Sequence, residues 1–441
     1  MVHIIQNFDA LAENDQRENV LAIAEAGYEA INVGNALRRK LKIENDELVV
    51  DVPARSHLTD TVRRHLALAG RRVFFVGIGK CAFAAAEAIE EFLGDRLTAG
   101  IAFDVSPLGK HSLKKVETLV GTHPLPSEIN ELSMKRIMSF LDGCTEEDLV
   151  IFLISGGGST LLCSYEESMT CTSESILFQE LTAKGATIQE MNTVRKHISR
   201  ARGGGLARAA FPAEVIALVV SDVPGNDLAF ISSGPTVLDT STIADAEAVL
   251  TQHDITLPTG TAFIESEKEE KYFERVTNIL FLTSQDAISA MRDEALKRGY
   301  AILVVDEQFS GEAGEIGSSV VEKLHDEPAM TALLYAGEST VTLGTNKGNG
   351  GRNQEMALAA LESIRPGELI LPFASDGHDN TNHAGAIGDA LSAARGKILN
   401  LSVDEYLNEH RAYDFFSTTG DALLTGYTGS NVSDLIVALK N

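Results

Sequence analysis

The chain has 441 residues, more than one hydrophobic core ordinarily holds, so we expect two domains. Its net charge of −26, from 63 acidic and 37 basic side chains, opposes binding to nucleic acid or anionic membrane and favours a small-molecule ligand. The N-terminal stretch lacks a signal-peptide pattern and apolar runs stop near about six residues, which predicts a cytoplasmic protein without membrane partners.

The first part of the chain contains a stretch that formally matches the dinucleotide-binding signature. After helices predicted over residues 15–42 and 58–69, a strand over Val73–Val76 leads into Gly77-Ile78-Gly79-Lys80 and an alanine-rich helix over Ala82–Leu93. Gly77, Gly79 and Ala82 match Gly-x-Gly-x-x-Gly/Ala, and Asp104 follows at about the expected distance, which by itself indicates a dehydrogenase. Lys80 instead favours a loop that binds an anion, with an ordinary surface lysine as the alternative.

The most distinctive stretch is LVIFLISGGGSTLL. Leu149–Ile154 predicts a strand buried on both faces of a parallel sheet. The segment Ser155, Gly156, Gly157, Gly158 and Ser159 follows it and precedes a predicted helix, so backbone N–H groups could approach a phosphate without obstruction. A tight turn with an N-cap is the alternative. Together with a strand over Val116–Val120 and a rigid loop over residues 121–126, this order predicts a parallel sheet covered by helices.

Two further groups of polar residues follow the glycine-rich stretch. A helix over 188–199 carries Asn192, Arg195, Lys196 and His197 and ends near a glycine triplet, which suits a phosphate or carboxylate, with a solvated basic helix end as the alternative. Asp222 comes just after a predicted strand over residues 215–220, where ligands bind in open α/β sheets, and is a candidate metal ligand or general base. A loop over residues 232–236 is expected to close over the same crevice.

The charged stretch around residues 265–270 marks a predicted domain boundary. We therefore predict a larger N-terminal Rossmann-like domain over 1–257 and a smaller C-terminal α/β domain over 276–441 with a mixed sheet. In the second domain, strands over 332–336 and 340–343 flank Glu338, and the string GNGGRNQE places Arg352 and Asn353 at a helix start. An arginine there is unfavourable unless an anion lies beside it.

The last candidate site is the segment Ser375-Asp376-Gly377-His378-Asp379, which follows a predicted strand. Its two carboxylates could hold Mg²⁺ together with phosphate and water, and a plain Asx-turn is the competing interpretation. The four cysteines show no metal-ligand spacing and are predicted to be thiols packed as small hydrophobic residues.

Several of these strings together resemble one family, the class II glycerate kinases, whose C-terminal part is the MOFRL domain. The resemblance covers the chain from about residue 60 to its end and rests, in order, on VGIGKCA, LISGGGSTLL, EMNTVRKHISRARGGGLARA, VVSDVPGNDLAFISSGPTVLD, GESTVTL, GGRNQEMALA, ASDGHDN with AGAIGDA, and TGYTGSNVSDL. The sequence departs from the family pattern at Gly205, where a basic or polar residue is common, and at Asn382, where an aspartate is frequent.

The resemblance implies phosphoryl transfer from ATP to the 2-hydroxyl of D-glycerate, with Mg²⁺, in a cleft between two α/β domains, and a homodimer by family habit. It matches Lys80 and Arg352 to the two cationic catalytic residues and the Ser155 to Ser159 segment to the phosphate-binding loop. Asp222, Glu338 and Asp376 match acidic positions and are the candidate metal ligands, with Asp222 and Asp376 also candidate bases. Substrate binding is assigned to Lys80, Arg195, Arg352 and Asn353.

Two alternatives remain at this point. The first is an NAD(P)-dependent hydroxypyruvate reductase, because family members have carried that name and the Gly77 to Ala82 fingerprint points the same way. The second is a non-catalytic protein that binds a sugar phosphate, since a glycine turn before an alanine-rich helix also suits that ligand.

Overall fold

The structure is a computed structural model that describes residues 3–53, 61–105, 113–166, 169–257, 260–343 and 348–441. Its strands, numbered in chain order, are β1 (Leu41–Glu44), β2 (Glu47–Val52), β3 (Val62–Ala67), β4 (Val73–Ile78), β5 (Leu97–Asp104), β6 (Val116–Val120), β7 (Leu149–Ile154), β8 (Glu214–Val220), β9 (Val276–Leu282), β10 (Ala301–Glu312), β11 (Thr331–Thr340), β12 (Glu368–Ala374), β13 (Gly385–Ala386), β14 (Gly388–Asp389), β15 (Ala422–Leu423) and β16 (Asp434–Lys440).

Its α-helices are α1 (Phe8–Leu11), α2 (Asp15–Ile31), α3 (Val33–Lys40), α4 (Ala82–Leu93), α5 (Glu128–Leu141), α6 (Gly158–Leu161), α7 (Cys171–Ala183), α8 (Ile188–Lys196), α9 (Gly205–Ala210), α10 (Ile243–Gln252), α11 (Ser284–Lys297), α12 (Ala313–Asp326), α13 (Arg352–Ala360), α14 (Ala390–Ile398), α15 (Val403–Asn408) and α16 (Ala412–Thr419). Within the described ranges, no helix is both long enough and apolar enough to cross a bilayer.

The chain divides into two compact units. The central unit is Val33–Leu282, and the terminal unit joins Met1–Asn32 to Thr283–Asn441. The predicted boundaries, 1–257 and 276–441, differ from this division, because α2 belongs with the C-terminal residues and β9 completes the sheet of the central unit. The predicted fold class is confirmed: both units are α/β, one with a parallel sheet and one with a mixed sheet.

The central unit is built on a parallel sheet with strand order β6-β5-β4-β7-β8-β9. Its middle strand β7 is LVIFLI, and each of those side chains is at most 1% exposed, as expected for a strand covered on both faces. A separate antiparallel sheet has the order β1-β2-β3. Its strand β3 lies within residues 58–69, where the sequence predicted a helix. Its β3 is largely exposed, so it shows no hydrophobic alternation.

The terminal unit contains a mixed sheet, ordered β10-β11-β16-β12-β13-β15, in which only β10 and β11 run parallel among the described pairings. Arg17 of α2 fixes the N-terminal segment in this unit. Its side chain is fully buried and bonds both carboxylate oxygens of Asp389, at 2.7 and 2.8 Å, and Asp421 at 2.8 Å. The strands predicted over 332–336 and 340–343 are replaced by one continuous strand, β11, which ends at Thr340, so residues 341–343 are not in a strand.

All four cysteines lie in the described part of the chain and none is in a disulfide. Cys81, Cys163 and Cys171 are buried and Cys144 is half-buried, which confirms the predicted packing as small hydrophobic residues.

Candidate active site

The central sheet reverses its strand order between β4 and β7. The chain adds β5 and β6 on one side of β4 and then returns to place β7 and β8 on the other side. In open α/β sheets, ligands bind beyond the carboxyl ends of the strands at such a reversal, because the loops there diverge and leave a crevice. The loops that follow β4 and β7 are the segment around Lys80 and the segment Ser155 to Ser159, which are the two that the sequence singled out.

These two loops are bonded to each other. The backbone N–H of Lys80 donates to the carbonyl of Gly156 at 3.0 Å, and that of Cys81 donates to the Ser155 hydroxyl oxygen at 3.1 Å. The Ser155 hydroxyl in turn donates to the carbonyl of Ile78 at 3.2 Å. Lys80 and the glycine-rich loop are therefore parts of one rigid structure, as predicted.

The glycines of this structure are required by close approach. A Cβ on Gly79 would lie 2.4 Å from the carbonyl oxygen of Ser155, and one on Gly158 would lie 2.3 Å from the Ser232 hydroxyl oxygen. Gly157 adopts a φ of 83° beside the Lys80 side chain. Among the described residues, the N–H groups of Gly156 and Gly157 donate to no other protein group, so they remain available to an anion.

A strained turn supports the loop from the other side. Ser232, Ser233 and Gly234 have consecutive left-handed φ values of 50°, 61° and 58°, a conformation that costs energy for serine and occurs often at functional sites. The Ser232 hydroxyl donates to the Ser155 carbonyl at 2.7 Å, and the Ser233 hydroxyl lies 3.0 Å from that of Ser159. The sequence predicted this segment in the crevice, and it lies against the glycine-rich loop.

Asp222 lies just beyond the end of β8, at the same edge of the sheet, and is half-buried. This position fits the predicted one, and its role as base or metal ligand stays a prediction.

Arg195, by contrast, lies in a buried internal cluster. Its guanidinium stacks on the ring of Phe178, with 3.4 Å from Cζ to the ring centroid, and its Nε is 3.8 Å from Glu174, which also accepts from Arg202 at 2.8 Å. Burial lowers the pKa of Arg195 to about 9. These contacts favour a structural role for Arg195, and its contact with substrate stays a prediction.

Two neighbours of Arg195 follow the same pattern. Lys196 is 6% exposed and donates to Asp239 at 3.0 Å, while His197 is fully buried and lies 3.1 Å from the carbonyl of Ile264. The basic helix end is thus neither an open anion site nor a solvated surface, because internal partners occupy these side chains.

The dinucleotide fingerprint does not form a dinucleotide site. The space over Gly79, where a pyrophosphate would approach, is filled by the backbone of Ser155 and Gly156. Asp104, which would bind a ribose hydroxyl, is fully buried and accepts from the backbone N–H of Phe83 at 3.0 Å. Asp104, the acidic residue of the fingerprint, therefore caps the start of α4.

In the terminal unit, Arg352 is held between two carboxylates. Its Nη1 donates to Glu338 at 2.6 Å, and its Nε lies 2.5 Å from Asp434, which is 1% exposed. Burial opposes ionisation of the guanidinium, but the charges of Asp434 and Glu338 outweigh it and raise the pKa of Arg352. Burial raises the pKa of Asp434 to about 7, although Arg352 acts against it. Asp434 is not among the residues that the sequence predicted for the site.

The start of α13 is capped by Asp379. Its carboxylate accepts from the backbone N–H groups of Asn353 and Gln354 at 3.1 and 2.8 Å, and burial raises its pKa. The anion expected beside Arg352 is therefore supplied by the protein itself. Asn353 is fully buried and donates to Asp434 at 3.0 Å, which favours a positioning role, and its contact with substrate stays a prediction.

Asp376 forms the Asx-turn that was the competing interpretation. Its Oδ1 accepts from the backbone N–H of His378 at 3.0 Å, two residues on. Its charge also acts on Tyr28, whose pKa is raised, first by burial and then by Asp376. No group of three or more metal-ligating side chains occurs among the described residues. Mg²⁺ at a phosphoryl-transfer site needs only one or two carboxylates besides phosphate and water, so Asp376 and Asp222 still fit that requirement.

The predicted site residues thus fall into two groups. Lys80, the glycine-rich loop and Asp222 belong to the central unit, and Arg352, Glu338 and Asp376 belong to the terminal unit. The structure joins Lys80 to the loop and Glu338 to Arg352, and the convergence of the two groups stays a prediction.

Comparison with known proteins places the chain in a family. The family model described as domain of unknown function (DUF4147) matches residues 19–263, and the MOFRL family model matches residues 331–434. A protein of Agrobacterium vitis with the provisional name of a hydroxypyruvate reductase is 37% identical over 82% of this chain and 86% of its own length.

Two kinases are similar over nearly the whole chain. The glycerate 2-kinase of Pyrococcus horikoshii is 33% identical over 96% of this chain and 97% of its own. The crystal structure of a glycerate kinase from Thermotoga maritima superposes with a TM-score of 0.82 at 30% identity, over 96% of this chain and 99% of that one. The chain therefore belongs to the glycerate 2-kinase family with a C-terminal MOFRL region.

Proposed function

We propose that this protein transfers the γ-phosphoryl group of ATP to the 2-hydroxyl of D-glycerate. The observation that carries the proposal is the structure formed by Lys80 and the glycine-rich loop at the reversal of the parallel sheet, with the N–H groups of Gly156 and Gly157 available to an anion. Backbone N–H groups and one nearby cation are what phosphates require in an acidic protein.

Phosphoryl transfer asks the protein mainly to position the reactants and to neutralise charge. In the proposed step the 2-hydroxyl oxygen of glycerate attacks the γ-phosphorus, the bond to the β–γ bridging oxygen breaks, and ADP leaves with that electron pair. The hydroxyl proton passes to a carboxylate, for which Asp222 and Asp376 are the candidates. Mg²⁺, when bound by one of these carboxylates and the phosphates, neutralises phosphate charge.

Lys80 and Arg352 supply positive charge in this scheme, and each has its own test. We expect Lys80→Ala and Arg352→Ala each to lower kcat/KM by a factor on the order of 10² or more, because each removes stabilisation of transition-state charge. Arg96→Ala and Arg292→Ala are matched controls, since both arginines are about half exposed and pair with surface carboxylates. Wild-type turnover in either test variant would remove that residue from the scheme.

The reductase alternative is disfavoured by the geometry at Gly79 and Asp104. The space over Gly79 is filled by the protein's own loop, and Asp104 is engaged as a helix cap. A coupled assay with D-glycerate, ATP and Mg²⁺, with the product resolved as 2- or 3-phosphoglycerate, tests the proposal directly. Oxidation of NADH by hydroxypyruvate without consumption of ATP would establish the reductase instead.

The non-catalytic alternative predicts that sugar phosphates bind without turnover and that loss of Asp376 leaves binding intact. The kinase proposal predicts turnover that falls sharply in Asp376→Asn if this carboxylate holds Mg²⁺ or takes the proton. The homodimer expected from the family stays a prediction, and light scattering coupled to size-exclusion chromatography would test it.

A further inference from the structure

A buried amide helps to hold the loop between β6 and α5. Asn130 of α5 is fully buried, and its Oδ1 accepts from the backbone N–H of Thr122 at 2.8 Å. Its Nδ2 donates to the carbonyl of Thr122 and to that of Thr160, both at 3.0 Å. Because Thr160 belongs to α6, which follows the glycine-rich loop directly, Asn130 joins the two loops.

Two further contacts hold the same segment. The Thr160 hydroxyl donates to the carbonyl of Pro124 at 3.2 Å, so the loop is bonded on both sides of His123, to Asn130 through Thr122 and to α6 through Pro124. A Cβ on Gly121 would lie 2.6 Å from the side chain of Leu161, which shows how closely the loop packs on α6. The position of His123 relative to the glycine-rich loop is therefore determined by the protein and does not depend on a ligand.

His123 lies beside the centre of that loop. A Cβ built on Gly157 would stand 3.5 Å from Cδ2 of His123, 3.7 Å from its Nε2, and 3.3 Å from Cγ of Lys80. The imidazole and the lysine stem thus flank the same glycine, and its N–H is one of the two that donate to no other described group. The His123 side chain is exposed, so a ligand in solution has access to it.

We propose that His123 is a third group that binds an oxyanion at this site, through its imidazole N–H, next to Lys80 and the backbone N–H groups of the loop. The proposal rests on the proposed function for its ligand, which is either a phosphate of ATP or the carboxylate of glycerate. Both are oxyanions that an imidazole N–H binds well, and the test separates them. Asn130 is the residue that positions the loop of His123.

The test compares His123→Ala and His123→Gln with wild type. His65→Ala is the control, because His65 is an exposed histidine on β3 that pairs with Glu47. We expect His123→Ala to lower kcat/KM by roughly 10-fold to 100-fold, as loss of a hydrogen bond to a charged group does. His123→Gln, which keeps an N–H donor, should recover part of the loss. A rise in KM for glycerate alone identifies the carboxylate, and a rise in KM for ATP or a fall in kcat identifies phosphate.

A binding measurement keeps this inference distinct from the proposed function. Calorimetric titration with inorganic tripolyphosphate and with ATP, each with and without Mg²⁺, reports the site even if glycerate is not the substrate. Weaker binding by about 10-fold in His123→Ala, with His65→Ala unchanged, supports the inference even in the absence of turnover. If both binding and kcat/KM of His123→Ala equal those of wild type, the inference is wrong, whichever reaction the protein catalyses.

Discussion

Replacement of Gly158 by alanine tests whether the shape of the glycine-rich loop sets activity. Gly158 begins α6 and is not among the residues with left-handed φ, so alanine adds no backbone strain there. The new Cβ would instead lie 2.3 Å from the Ser232 hydroxyl oxygen and 2.8 Å from the Ser232 Cβ. An ordinary contact is longer by about 1 Å, so the loop or the strained turn must move by that distance.

A displacement of about 1 Å at groups that hold a reacting phosphate costs roughly 10²-fold in rate. We therefore expect Gly158→Ala to lower kcat/KM about 100-fold and to reduce the free energy of unfolding by about 1–3 kcal/mol, as overpacking does. Steady-state kinetics and urea denaturation measure the two effects. Gly143→Ala is the control, since a Cβ there meets no atom within 4 Å.

A second substitution makes the reasoning refutable. Ser232→Gly removes both atoms that clash and suits a φ of 50°, at the cost of one hydrogen bond to Ser155, worth about 1 kcal/mol. The double variant Gly158→Ala/Ser232→Gly should recover most of the lost activity. If Ser232→Gly alone is active and the double variant stays as impaired as Gly158→Ala, the steric explanation is refuted.

Three other predictions concern buried charge. Arg17→Ala leaves the carboxylates of Asp389 and Asp421 buried without their partner. Urea denaturation should show that the free energy of unfolding falls by about 3–5 kcal/mol. A fall below about 1 kcal/mol would contradict the role of this network. Burial raises the pKa of Asp434 to about 7, above its value of about 3.9 in the unfolded chain. The folded wild-type protein therefore binds this proton more tightly than the unfolded chain does. Its free energy of unfolding should fall as the pH rises from about 4 to about 7. For this group the decline in the free energy of unfolding is at most about 1.4 kcal/mol per pH unit, and it should be absent in Asp434→Asn. Equal pH dependence of the urea midpoint in the two proteins would contradict the raised pKa of Asp434. Asp104→Ala removes the cap of α4 and should cost about 1–2 kcal/mol in the same assay, whereas an unchanged midpoint would show that the cap contributes little.

The parts of the fold that the sequence predicted correctly are those whose local pattern agrees with their environment. The strand Leu149–Ile154 and the helix Ala82–Leu93 have the predicted bounds, because a continuous apolar run is buried on both faces and an alanine-rich segment has high helix propensity. The helix predicted over 58–69 is wrong, since β3 presents Arg63, Arg64 and His65 to solvent and offers no period to recognise.

The site was predictable where adjacent residues carry the chemistry and not where distant contacts do. Lys80 and the glycine-rich loop stand out because glycine beside an isolated cation has few other uses. Arg195 and Asn353 look the same in sequence as ligand-binding residues, but in the fold Arg195 stacks on Phe178 and Asn353 donates to Asp434, 81 residues along the chain. Such partners are set by tertiary packing, which no local pattern encodes.

The placement of α2 bears on how the protein is made. Residues 3–32 leave the ribosome before the central unit does, yet Arg17 meets Asp389 and Asp421 only after those two residues have been made. The central unit, residues 33–282, can fold during synthesis, while α2 must wait for its partners in the terminal unit, of which α11 (Ser284–Lys297) is the first to be made. A nascent chain stopped before residue 284 should therefore hold α2 undocked and open to proteolysis.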